Sequence, residues 1–272
     1  MIAELRSSAA MHRTLVRAGV IPAVLALLAG CDVIPTIEAH AAYARFTTDG
    51  DVGLETNSGQ IDRVDIADDL GLDDPGNALY LQSRLQTVVG NVNVSAFRFE
   101  ESGSGVLDAG TGFGGIGGGG TDTPVRSDFE MTNAKAFYSF DLLDVGVFRI
   151  APGLGVDLFD IDTTVRSVDS PISGFERIQV LAPVPMVFLD ASAEIGGLRA
   201  DVEAGWMTIS LDDASGTWVD LEARVLYEVV DYVDLMAGYR LITMDVDGDA
   251  DGQRFDADLA VHGFYVGGGV RW

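Results

Sequence analysis

The sequence predicts an all-β fold, an antiparallel up-and-down β-barrel of about ten strands, and three observations carry that prediction. Beyond residue 38, apolar and polar residues alternate with period two and helical periodicity is nearly absent. Connections between the alternating segments are short and long by turns. The chain is also both acidic (formal net charge −25) and hydrophobic (47% apolar residues, mean hydropathy +0.22). That combination excludes a disordered acidic tail and requires charge and hydrocarbon to lie on different faces.

The first thirty residues read as a signal peptide, residues 1–30. Arg6, His12, Arg13 and Arg17 precede an apolar run from Val20 to Leu28. That run is far shorter than the ~20 residues of a membrane-spanning helix. Its end, Leu28-Ala29-Gly30-Cys31, resembles the lipobox of bacterial lipoproteins, with Cys31, the sole cysteine, as the lipidation site. Ala39-His40-Ala41 is the alternative, a small-x-small cleavage site of the ordinary secretory type. Residues 31–39 are expected to form a short periplasmic linker and 40–272 the barrel domain. Cleavage before Cys31 removes Arg6, Arg13, Arg17 and Glu4, leaving 14 basic against 41 acidic residues and a charge near −27. Such a surface repels nucleic acid.

Expected strands span 40–48, 77–87, 91–101, 126–141, 145–161, 178–194, 197–208, 218–229, 233–245 and 254–272, with eight or twelve strands as alternatives. The first, containing HAAYARF, shows little contrast between its faces. Later ones are sharper. Val219, Leu221, Ala223, Val225, Tyr227 and Val229 oppose Asp220, Glu222, Arg224 and Glu228. Leu198, Ala200, Val202, Ala204 and Trp206 oppose Arg199, Asp201 and Glu203. Short connections are expected near 88–90, 143–146, 195–197 and 230–232. Long acidic or glycine-rich ones are expected at 49–76, 103–124, 162–177, 209–217 and 246–254.

Alternation does not say which face is outside, since a soluble ligand-binding barrel has the same period with its apolar side chains inside. The charged face favours a transmembrane β-barrel, because its charges are dense and mixed in sign. Arg149, Asp157, Arg199, Asp201, Glu203, Asp220, Glu222, Arg224 and Arg240 are the expected lumen charges, with Glu194 beside them. Phe140, Phe148, Tyr227, Tyr232 and Trp272 collect near the short turns, where a membrane barrel carries its aromatic girdle. The last strand alternates through Phe264, Val266, Val270 and the terminal Trp272. These residues resemble the C-terminal assembly signal of bacterial outer-membrane β-barrels. The acidic stretch Asp65 to Asp74 before paired strands resembles the small, poorly characterised members of that group. The resemblance implies a cell outer membrane location, contact with outer-membrane lipid, and recognition by the barrel-assembly machinery.

No catalytic set emerges, and the chain is expected not to be an enzyme. His12 leaves with the signal, His40 precedes the first strand, and His262 shares the outward parity of Phe264. Asp247, Asp249, Asp251 and Asp258 have the spacing of a calcium loop, although Arg254 takes a normally apolar place. The alternative is an acidic hairpin tip without metal, and no other cofactor is implied. Gly110 to Gly120 lacks the Lys-Ser/Thr of a phosphate loop. The function expected is an envelope-structural, surface-interaction or narrow small-solute passage role. A lipid-tethered periplasmic soluble barrel binding an apolar ligand is the alternative. An outer-membrane lipid hydrolase comes third, and would need a nucleophile and base that the sequence does not supply.

Overall fold

The computed structural model describes residues 36–57, 59–168, 174–211, 214–250 and 253–272. Cys31 and Asp251, expected to carry a lipid and a metal, lie outside the described residues, as does the expected signal peptide. Fourteen strands follow in chain order: β1 Thr36–Glu55, β2 Ile61–Asp65, β3 Gly76–Thr87, β4 Gly90–Leu107, β5 Gly112–Phe113, β6 Ile116–Gly117, β7 Thr123–Ser139, β8 Leu143–Asp144, β9 Phe148–Ser167, β10 Phe175–Ile195, β11 Leu198–Leu211, β12 Ala214–Val230, β13 Val233–Ala250 and β14 Gln253–Arg271. Ten of them are long and pair antiparallel, in the order β10-β11-β12-β13-β14-β1-β3-β4-β7-β9. β9 also pairs with β10 over Phe175↔Arg166 to Ala193↔Phe148, so the pairing order is cyclic. β1 joins β14 from Glu38↔Arg271 to Leu54↔Phe255, bringing the two ends of the described chain side by side. β5 and β6 form a separate two-stranded hairpin.

One end of the sheet, here the near end, carries the tight turns. Gly196 and Gly197 both have positive φ (58° and 81°), as a two-residue hairpin with the right twist requires. The far end differs from the sequence expectation. All the described residues of segments 209–217 and 246–254, expected as loops, are strand. β9 runs on to Ser167, and β1 begins at Thr36, four residues before the expected start. The extensions escaped detection because their apolar side chains switch faces, which breaks the pattern that marked the lower strands.

That switch is the main feature of the fold. Near-end residues point charged or polar side chains inward and apolar ones outward. On β9, Arg149 and Asp157 are buried inside while Leu154 and Val156 are exposed. Farther along the same strand Phe159 and Val165 are buried inside, and Asp160 is exposed outside. β4 repeats this: Asn93 and Ser95 give way inside to Phe97 and Phe99, as Val92 and Val94 give way outside to Arg98 and Glu100. On β13, Asp234 and Arg240 precede Ile242 and Met244 inside, while outside Leu235 precedes Asp245 and Asp247. Ile66, Leu70 and Leu72, from the segment after β2, are buried in the far-end apolar cluster. Glycines permit that approach. A Cβ on Gly103 would fall 1.7 Å from the Gly71 carbonyl oxygen, and one on Gly105 would fall 2.0 Å from that of Asp69.

Candidate functional site: a charged interior beneath an apolar one

The strands β10 to β13 place their inward charges at matching heights because the register aligns them: Asp190 opposite Glu203, Glu203 opposite Glu222, and Glu222 opposite Arg240. Three carboxylates in one row require cations from other strands. Lys135 of β7 supplies one, its Nζ lying 2.9 Å from Asp220, 3.2 Å from Glu203 and 3.3 Å from Glu222. Arg224 donates to Asp201 at 2.9 Å and to Glu203 at 2.7 Å. Arg199 grips Glu38 through both terminal nitrogens, at 2.6 and 2.5 Å. Arg84 reaches Asp190, Asp201 and Glu203 at 3.3 to 3.6 Å, and Arg149 pairs with Asp190 and with Asp141. Tyr80 and Tyr265 both donate to Glu222, at 2.9 and 2.6 Å.

Six cations (Arg84, Lys135, Arg149, Arg199, Arg224, Arg240) thus meet seven carboxylates (Glu38, Asp157, Asp190, Asp201, Glu203, Asp220, Glu222), all buried. This network is close to neutral in a chain of charge −25, and the buried Asp234, beside His40, and Glu101 are the carboxylates inside that stand apart from it. All nine residues proposed from the sequence as lumen charges point inward within this set. Arg84, Lys135, Glu38 and Asp190 were not singled out. Arg84 and Lys135 sit in strands whose other inward polar residues are uncharged, Gln82 and Gln86 beside Arg84 and Asn133 and Ser139 near Lys135, so those strands carry a weaker charge signal. Glu194 is exposed and pairs with Arg271 at 3.7 Å.

His40 corrects the sequence reading. It lies within β1, 5% exposed and inward-facing, with Nε2 3.5 Å from Asp234 and making no hydrogen bond. The alternation around it is faint because its inward neighbours are Ala42 and Ala44. His262 faces outward and its Nε2 lies 2.5 Å from Asp49.

The segment with calcium-loop spacing is a hairpin of two strands. Asp247 faces Asp256, while Asp258 faces Asp245 one row away, so the alternate oxygens run along a ladder instead of around a loop. Ser215 donates to Asp247 at 2.6 Å. Among the described residues no group of three or more His, Cys, Asp or Glu is placed to hold a metal ion. Phe264, Val266 and Val270 lie on the outer face of β14 and Trp272 follows its last residue, all four exposed.

Above the charged set, Glu101 faces inward on β4 at 4% exposure, with both carboxyl oxygens lacking hydrogen-bond partners. Its outward neighbours Arg98 and Glu100 place it in the polar-outside half. Burial, reinforced by the Asp49, Asp73 and Asp74 carboxylates, pushes its pKa up to about 8. The far end also holds an apolar cavity of about 260 Å³.

No protein-family model matches the chain, and no curated protein matches it by sequence. Solved structures do match. The outer membrane protease OmpT from Escherichia coli aligns with a TM-score of 0.56 at 9% identity, covering 87% of this chain and 96% of that one. The translocator domain of the autotransporter NalP from Neisseria meningitidis aligns at 0.44 and 13% identity, covering 98% of each chain. At 9% identity the likeness to the outer membrane protease concerns fold alone.

Proposed function

We propose that this protein is a non-enzymatic transmembrane β-barrel of a cell outer membrane, its lumen sealed by the buried ion network, serving envelope structure or interaction at the cell surface. One observation supports this above the rest: the inside-outside polarity of the long strands inverts at a common height. Below that height the outward face is apolar on neighbouring strands, edged by Phe140, Phe148, Tyr227, Tyr232 and Trp272 at the turn end. Tyr43, Trp206 and Phe264, all more than half exposed, edge it at the other. From Phe264 to Trp272 a strand advances ~26 Å at ~3.3 Å per residue, and a tilt of ~40° reduces that to ~20 Å, near the ~25 Å apolar band of such barrels. A soluble barrel tethered by a lipid would leave this entire band in water, which monomeric soluble proteins avoid.

The interior argues against solute passage. Arg240, Asp157 and Asp190 are 0% exposed, and the cations cross between strands, filling the bore at the height of the band. Chemistry is also disfavoured, since His40 Nε2 makes no hydrogen bond and His262 engages a surface carboxylate. The outer-membrane lipid surrounds the band, and the assembly machinery reads the last strand through Phe264, Val266, Val270 and Trp272.

The test is gel migration of the purified full chain, unheated against boiled, together with conductance across a planar lipid bilayer. A compact form that shifts on boiling and inserts without stepwise conductance is the expected result. Migration unaffected by heat would overturn the transmembrane reading, and regular conductance steps would overturn the sealed lumen.

A further inference from the structure

The wall around the far end is not continuous. β10 pairs with β11 only from Val187↔Trp206 down to Ile195↔Leu198. Both strands continue beyond that point: β10 back to Phe175 along β9, and β11 on to Leu211 along β12. Among the described residues no pairing bridges them there. Pro183 and Pro185 explain the break. Proline has no N–H, and residues two apart direct their donors toward the same neighbour. β10 remains paired to β9 through both prolines, so it is the β11 edge that loses two successive donors.

The gap opens onto the 260 Å³ cavity. Ile178, Val180 and Ala182 line it from β10, and Ile209 and Trp218 from the opposite side. Val180 points inward yet is 37% exposed, which marks where the wall is open. Leu70, Leu72, Phe129, Phe159 and Leu259 form the deeper wall. The polar side chains at its rim turn outward and are already paired: Ser215 donates to Asp247, and Asp256 pairs with Arg63 at 2.6 Å. Thr163 adds one hydroxyl. A charged or strongly polar guest would therefore lose hydration without recovering it.

We propose that this cavity is a binding site for a small, uncharged, ring-sized apolar molecule, admitted through the β10–β11 gap. A cavity of ~150 Å³ lined by aliphatic and aromatic side chains accommodates benzene, so 260 Å³ suits a substituted or bicyclic ring. Trp218, Phe129 and Phe159 offer ring faces for stacking. The molecule comes from the medium and not from a lipid acyl chain, because polar side chains flank the gap on its outer face, Thr208 and Ser210 on β11 and, above the exposed Leu181, Gln179 and Arg177 on β10. The site rests on the barrel reading only for the height of the gap.

The experiment uses the full chain in lipid nanodiscs with Trp206→Phe and Trp272→Phe, leaving Trp218 as the sole tryptophan for selective excitation, and bromobenzene as the quenching probe. Saturable quenching is expected. It should weaken at least tenfold in half-saturation when Ala182→Phe or the milder Ala182→Leu fills the cavity, with heat-dependent migration confirming each fold. Quenching that rises linearly in every variant would overturn the proposal, since the probe would only be partitioning into lipid or meeting a cavity already held by an acyl chain. Saturation insensitive to both fillings would also overturn it. Heat-independent migration of the starting protein alongside saturable quenching would count against the transmembrane reading while leaving the cavity site standing.

Discussion

Arg240 and Asp220 meet in a bidentate pair, Nε and Nη2 each donating to a separate carboxylate oxygen at 2.9 Å, at 0% and 1% exposure. Arg240 projects from β13 and Asp220 from β12, and the same guanidinium lies over the ring of Phe97, 5.3 Å from its centroid. The pair therefore stands at the height where the interior changes from charged to apolar.

Removing Arg240 strips the buried Asp220 of its bidentate partner and leaves only the Lys135 ammonium, 2.9 Å away, beside it. Arg240→Ala should cost ~3–5 kcal/mol, read as a lower urea midpoint for loss of the compact unheated gel form. The double variant Arg240→Ala/Asp220→Ala should recover part of that loss. Equal losses in the single and double variants would show that the two residues do not act as a pair.

The height of the membrane can be read by labelling. In a Cys31→Ser background, Arg45→Cys and Asp247→Cys should react with a bulky membrane-impermeant maleimide in nanodiscs. Leu79→Cys and Leu235→Cys should not, although these leucines are 62% and 57% exposed on the protein itself. Equal labelling at all four sites would mean that no bilayer covers the apolar band.

Glu101 makes stability depend on pH. Its folded-state pKa, about 8, lies above its ordinary value of 4.5, so the folded state retains a proton that the unfolded chain releases. The destabilisation is absent below about 4.5, grows as pH rises, and is complete above about 8. Glu101→Gln should therefore be near neutral at pH 4 and stabilise by roughly 1–3 kcal/mol at pH 9, measured by chemical denaturation at both values. A gain independent of pH would reject the assignment.

Restoring the missing donors should extend the seam. Pro183→Thr with Pro185→Val gives the β10 edge two N–H groups facing Thr208 and Ser210 by continuation of the Val187↔Trp206 register. Hydrogen exchange of the Thr208 and Ser210 amides should slow by tenfold or more. Unchanged exchange would mean that the strands diverge for reasons other than the prolines.

Much of the lower barrel was legible in the sequence. Leu198 to Trp206 and Val219 to Val229 alternate in step with their charged neighbours, and the register sets Asp201 opposite Arg224. The expected strands overlap the ten long ones, and the short turns fall where expected. His40 was misplaced because alanine marks its face too weakly. Glu101 gave no signal, since Glu100 beside it hides which of the two turns inward. The cavity was invisible, because it is built from residues of eight strands and the segment after β2.

The sequence by itself determined the period, the pairing direction and the segregation of charge from hydrocarbon, because alternation is a local property of an extended chain. Which face lies inside is not local, since it depends on what surrounds each stretch of strand. Only the tertiary structure decided that the charged face turns inward below Arg240 and the apolar face turns inward above it, and that β10 leaves β11 above Val187. One alternation rule allows either face to be buried, and the strands of this chain bury the charged face near the tight turns and the apolar face beyond Arg240.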